Sequence, residues 1–217
     1  MVQPEPKRRL PHNASEAPSG GLISFPAAPT GDAELVQGLL AGRPAAVALL
    51  VDRYAPVVRR ILLRTLGSAR DLEDLSQDTF VTVLRRCPTL RDPAALRSFI
   101  VSVAIRIARN ELRKRAIRRF VGLHDTTVAA VQPPHDAEVA ERVRHVYAAL
   151  DRVDADARIA FTLRHVEGLD LAETALACGC SLATVKRRLA RAESRLRTLS
   201  RTDPVLRGLL PDKEVAP

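Results

Sequence analysis

Tryptophan is absent from the 217 residues, methionine occurs once, and aromatic residues make up only 3% of the chain. Alternating β-branched patterns are scarce, while Ala, Leu, Val and Arg dominate, which favours an all-α fold over a sheet-based one. The three cysteines, Cys87, Cys178 and Cys180, are too few for a disulfide framework. The five histidines are scattered and show no ligand spacing, and a lone Cys178-Gly179-Cys180 does not make a metal site. No glycine loop to cradle phosphate and no nucleophile elbow is present, so no catalytic residue, metal or cofactor is assigned. No apolar run reaches transmembrane length, and the N-terminus lacks the apolar core of a signal peptide. The reading is therefore a cytoplasmic protein that is not an enzyme.

What the chain does have is apolar mass and positive charge. Hydrophobic residues reach 46%, enough for real cores, and the net charge is +9 with a pI near 10.4. Such a balance points to a polyanionic partner, nucleic acid before membrane. Five segments follow from the pattern. Residues 1–31 read as a disordered tail; residues 1–30 carry six of the fifteen prolines and the Lys7-Arg8-Arg9 cluster. Residues 32–120 read as a helical domain, 121–137 as a flexible linker with Pro133-Pro134, 138–200 as a second helical domain, and 201–217 as a C-terminal tail. Within the first domain Pro56 is expected to kink or divide a long helical run, and Ser68 to cap the helix that follows.

The most informative stretch is Asp170–Arg197. Asp170 and Glu173 have the spacing of a capping box. Ala175 is small where two helices approach, Gly179 supplies a turn with positive φ, and Ser181 suits the N-cap of a second helix. Leu182, Val185, Leu189, Ala192, Leu196 and Leu199 recur at steps of three and four and form its apolar stripe. The opposite arc holds Ala183, Arg187, Ala190, Arg191 and Ser194, flanked by Thr184 and Lys186. Residues 182–201 contain seven basic residues and one Glu. A helix packed on one side and basic with small residues on the other suits a DNA major groove. Cys178 falls where an apolar residue would seal this helix-turn-helix, and is expected to be a buried structural thiol.

Two further helices carry charge of opposite sign. Residues 71–84 hold Asp71, Glu73, Asp74 and Asp78 and no basic residue, and Gln77 adds an amide, which reads as a docking face for a basic partner. Residues 91–120 hold nine basic and two acidic residues, with Leu96, Phe99, Ile100, Val103 and Ile107 as core stripe. Cys87–Ala95, between the two, is a loop in which Asp92-Pro93 begins the basic helix.

In order, the acidic helix, basic helix, linker and helix-turn-helix resemble a bacterial RNA polymerase sigma factor of the sigma-70 family, extracytoplasmic-function group. The resemblance covers Asp32 to Leu199. RDLEDLSQDTF at 70–80 is similar to the clamp-binding segment of sigma domain two, and LRHVEGL at 163–169 with SLATVKRRLARAE is similar to sigma domain four. It implies a subunit that binds core RNA polymerase and directs promoter recognition, melting and initiation. Asp74, Gln77 and Asp78 would bind the basic clamp helices of the β′ subunit, and the second domain would meet the β flap. The Cys87–Ala95 loop would capture a flipped base of the minus-ten element. Arg106, Arg109, Asn110 and Arg113 would lie along the melted strand, and Thr184, Lys186, Arg187, Ala190 and Arg191 would face the minus-thirty-five duplex. An anti-sigma factor is a further partner the resemblance implies. Phe99 stands where many relatives have Trp, Arg106 where many have Asn, and Thr174 where many have a branched aliphatic. The alternative drawn from the helix-turn-helix alone is a stand-alone transcriptional regulator.

Overall fold

Ala41, Gly42 and Arg43 separate the first two helices, α1 (Asp32–Leu40) and α2 (Pro44–Leu66). The computed structural model describes residues 31–122 and 137–209. Most of the expected N-terminal tail and linker, and the end of the C-terminal tail, therefore lie outside the described residues. Asp32 opens α1 and is buried; it accepts hydrogen bonds from Arg53 Nη1 at 2.8 Å and Tyr54 Oη at 2.7 Å, tying α1 to α2. Burial, reinforced by this carboxylate, pushes the Tyr54 phenol well above its ordinary range.

Pro56 does not divide the run: α2 is continuous through it. A proline removes one backbone hydrogen bond. Here its ring lies on the exposed side, while Tyr54 and Val58 on either side are fully buried and hold both halves to one core. The cap expected at Ser68 is not found. Helix α3 (Leu72–Arg86) starts after Asp71, whose φ is 59°, and the buried Ser68 does not cap it. Two short 3₁₀ turns, Cys87–Thr89 and Pro93–Ala95, fill the connection to α4 (Leu96–Phe120). Asp92 caps the second turn, accepting the Ala94 N–H at 2.9 Å. The 3.6-residue period buries Leu50, Tyr54, Ile61 and Leu62 of α2 against Val83 of α3 and Leu96, Ile100 and Ile105 of α4.

The second unit comprises α5 (Ala137–Leu150), α6 (Ala155–Phe161, continued as a π turn over Thr162–Val166), α7 (Leu171–Cys178), α8 (Leu182–Ser200) and α9 (Pro204–Leu209). Helix α9 falls in what the sequence presents as a tail. Asp203 caps it by accepting the Val205 and Leu206 N–H groups, and Leu206 is buried beside Leu150, Val153 and Leu196. No described helix is long and apolar enough to cross a membrane.

The two units share a core. Ile159, Leu163, Leu169, Ala177 and Cys178 join the apolar cluster formed by α2, α3 and α4. The end of α2 is where they meet. A helix leaves its last four carbonyls without partners. The Gly67 N–H takes that of Leu63. The other three are taken by side chains: Tyr147 Oη donates to Arg64 O at 3.0 Å, Arg158 Nε to Thr65 O at 2.8 Å, and Arg115 Nη1 to Leu66 O at 3.3 Å. Arg158 is 1% exposed, and a guanidinium that deep requires compensation. The Thr65 carbonyl and an ion pair with Asp151 provide it; burial pulls its pKa down and Asp151 opposes that pull. Glu167, 2% exposed, accepts from Arg64 Nη1 at 3.1 Å and lies 3.7 Å from Arg60 Nε, again across the two units.

Candidate nucleic-acid and partner interfaces

Local sequence sets the geometry of the helix-turn-helix. Asp170 Oδ1 accepts the Glu173 N–H at 2.7 Å and Glu173 Oε2 accepts the Asp170 N–H at 2.8 Å, completing the capping box of α7. Gly179 ends the helix at φ 62°, and the Cys180 N–H closes the turn on Ala175 O at 3.1 Å. Ser181 Oγ accepts the Thr184 N–H at 3.2 Å and starts α8. Val185, Leu189, Ala192 and Leu196 are buried as the stripe requires. Leu182 departs from it, 43% exposed in the first turn, ahead of the packed part of the helix.

The other face of α8 is open. Ala183, Lys186, Arg187, Ala190, Arg191 and Ser194 are all exposed, and Thr184 is half-buried with its hydroxyl 3.0 Å from Ser181 Oγ. Arg191 reaches Asp154 at 3.5 Å, a long pairing between exposed groups that water screens. The result is a shallow, basic helical face whose alanines leave room for base edges.

On α3, Asp74, Gln77 and Asp78 are exposed on one side, with Leu75, Thr79 and Phe80 buried on the other. Glu73 pairs with Arg59 of α2. Asp74 and Asp78 have no ion pair among the described residues, which leaves their charge available to a partner.

Helix α4 divides the four residues expected along a nucleic-acid strand. Arg106 and Asn110 are exposed one turn apart. Arg109 and Arg113, also one turn apart, are turned towards the second unit. Arg109 Nε lies 2.8 Å from Asp156 Oδ1, off the line of a hydrogen bond, so the contact is an ion pair; its Nη2 donates to Cys178 O at 3.3 Å. Arg113 Nη2 donates to Asp156 Oδ2 at 3.0 Å. Arg188 of α8 approaches the same carboxylate at 3.3 Å, and Arg119 lies 3.7 Å from Asp151. Asp156, Glu167 and Arg158 were not among the residues singled out from sequence. A sign was present: Asp151, Asp154 and Asp156 lie together, and the basic half of α4 is their complement.

Cys178 is a buried thiol, as expected, but in a different place. It lies at the seam between α7 and α4 rather than only inside the helix-turn-helix. Burial pushes its pKa up to about 11. Cys180 is half-exposed, and its Sγ accepts from Arg188 Nη1 at 3.3 Å. Among the described residues no group of three or more His, Cys, Asp or Glu side chains is arranged to hold a metal ion.

Comparison with known proteins matches both units. Residues 50–117 match the family described as Sigma-70 region 2, and residues 144–196 match Sigma-70, region 4. The chain is 30% identical over 174 residues to the ECF RNA polymerase sigma factor SigX of Bacillus subtilis, covering 77% of this chain and 88% of the relative. It is 30% identical over 151 residues to the RNA polymerase sigma factor CarQ of Myxococcus xanthus, covering 69% and 86%. With the RNA polymerase sigma-H factor of Pseudomonas aeruginosa it shares 26% over 174 residues, covering 74% and 89%. Among solved structures, CnrH in complex with the cytosolic domain of CnrY has the same fold at a TM-score of 0.55, with 23% identity over 80% of this chain and 99% of that one. The sigma factor RpoE in complex with the anti-sigma factor NepR, from Bartonella quintana, gives 0.51 at 23% identity over 72% and 97%.

Proposed function

The chain belongs to the extracytoplasmic-function group of sigma-70-family RNA polymerase sigma factors and acts in transcription initiation, and on that premise we propose how its side chains divide the work. One observation carries the assignment of sites. Each matched region brings a charged face of the sign its target requires: acidic on α3 within 50–117, basic on α8 within 144–196.

Asp74, Gln77 and Asp78 dock the basic clamp helices of the β′ subunit. Their reach into solvent makes them determinants of partner choice and association rate more than of stability. Helix α8 enters the major groove of the minus-thirty-five element. Arg187 and Arg191 carry planar forks able to bond two acceptors on one guanine, Lys186 neutralises phosphate, and Thr184 and Ala190 meet the groove floor. The second unit also contacts the β flap. In the first unit, the Cys87–Ala95 segment takes a flipped base of the minus-ten element, and Arg106, Arg109, Asn110 and Arg113 follow the displaced strand. Trapping an unstacked base offsets part of the opening cost, so melting proceeds without nucleotide hydrolysis. The protein contributes no catalytic group, works in the cytoplasm and is open to capture by an anti-sigma factor.

A stand-alone regulator would leave the acidic face of α3 without a use. Reconstitution with core polymerase tests the assignment: promoter-specific run-off transcription and permanganate-reactive thymines appear only when the chain is added. Promoter-specific binding by the chain alone, with neither effect, would favour the regulator.

A further inference from the structure

The second unit covers part of the face that, in the reading above, follows the melted strand. Three guanidinium groups surround the one carboxylate of Asp156: Arg109 and Arg113 from α4, and Arg188 from α8. They come from both units. Arg109 is only 19% exposed, so this is no mobile surface pair that water screens away. The two carboxylate oxygens address two arginines one helical turn apart, as a bridging phosphate would. Three positive groups against one negative leave the cluster short of negative charge, a deficit that a strand of phosphates fills better than a single Asp. Arg109 is pinned further by the Cys178 carbonyl at the helix-turn-helix turn, so Arg109 cannot track a strand while α7 lies on α4.

We propose that the second unit is the chain's own lid over its single-strand face. Asp156 occupies the place of a strand phosphate between Arg109 and Arg113, and single-stranded DNA and the closed packing exclude one another. The inference rests on the assignment of α4 to the melted strand. The far end of the lid is held by Glu167 against Arg60 and Arg64, and by Tyr147 on the Arg64 carbonyl, none of which belongs to the proposed DNA face. Because coupling is reciprocal, whatever loosens that end raises affinity for the strand, and the strand loosens that end.

The test uses the full chain without polymerase. Binding of a fluorescein-labelled single-stranded oligonucleotide is followed by anisotropy, and compactness by small-angle X-ray scattering. Asp156→Asn and Glu167→Gln should each tighten binding about fivefold or more, with a larger radius of gyration. Asp52→Asn, an equal change of charge at an exposed site on α2, should leave both near wild type. Adding Arg109→Ala should remove the gain. Should Glu167→Gln fail to fold, Tyr147→Phe, which loses only the hydroxyl, takes its place. The lid is refuted if Asp156→Asn tightens binding no more than Asp52→Asn, if the Glu167 or Tyr147 variant binds like wild type, or if saturating oligonucleotide leaves the radius unchanged. Run-off transcription by wild-type chain with core polymerase reads the sigma assignment separately: transcription with no change in anisotropy sinks the lid alone.

Discussion

Tyr147 lays its ring against the Cα of Gly67. A Cβ at residue 67 would stand 2.8 Å from the ring Cγ and Cε1, and the backbone there has φ +70°. Gly179 has nearly the same angle, φ +62°, but open space where its Cβ would go. The two glycines therefore separate backbone strain from crowding.

Gly179→Ala should cost about 1–2 kcal/mol, the left-handed penalty alone. Gly67→Ala should cost more, because the ring that seals the two units must move as well. For a chain of this size each kcal/mol lowers Tm by about 2–4 °C. Thermal unfolding followed by circular dichroism should rank wild type above Gly179→Ala and Gly179→Ala above Gly67→Ala. Equal loss in the two variants would mean that Tyr147 does not press on residue 67.

The docking face proposed on α3 is acidic and exposed. Gln77→Ala combined with Asp78→Arg should weaken copurification with core polymerase while leaving the helical spectrum unchanged. The deficit should shrink as salt rises, since screening weakens attraction in wild type and repulsion in the variant alike. Undiminished copurification at low salt would remove α3 from the interface.

Cys178 predicts an alkaline limb in stability. Its thiol is held neutral by burial, at about 11 against an ordinary 9.0. Between those values the unfolded chain has released the proton and the folded chain has kept it, so the unfolded state binds fewer protons and stability falls as pH rises. The loss attributable to this thiol is on the order of 2 kcal/mol by about pH 11. Urea melts of wild type and Cys178→Ala should converge as pH rises through that window; parallel curves would deny the buried thiol. At pH 8 iodoacetamide should label the half-exposed Cys180 well before Cys178.

The basic helices should fail in different ways. Arg187→Ala or Arg191→Ala should weaken recognition of upstream duplex by about 1–3 kcal/mol where the side chain reads a base edge. Arg109→Ala and Arg113→Ala should mainly reduce open-complex formation, and a template carrying a pre-melted bubble should rescue strand opening but not lost upstream recognition. If all four variants lose duplex binding alike, and melt normally once bound, the division between α4 and α8 is wrong.

Local chemistry was legible in the sequence wherever a short-range rule decides the outcome. Asp170 with Glu173, Gly179 and Ser181 each did what spacing and side-chain type dictate, and the stripe from Val185 to Leu196 went inside. Pro56 does not divide α2, because packing of Tyr54 and Val58 outweighs one missing hydrogen bond, a balance that no local window contains. Ser68 does not cap α3 because it is buried and lies three residues ahead of Asp71, after which the helix starts. The contact between the units was the least legible part. Asp156 and Arg113 are 43 residues apart in sequence, and Arg158 and Thr65 are 93 apart, beyond the reach of any periodicity.

The carbonyls that close α2 have a consequence for exchange of parts between relatives. The first unit supplies three acceptors at Arg64, Thr65 and Leu66, and two of their donors, Tyr147 and Arg158, come from the second. A chimera that grafts a foreign second unit onto residues 31–122 inherits two bare acceptors unless the graft brings a hydroxyl and a guanidinium to the same spots. Exchanging the second unit of this chain is thus a matching problem at the heel of α2, and residues 147 and 158 are the first to transplant back.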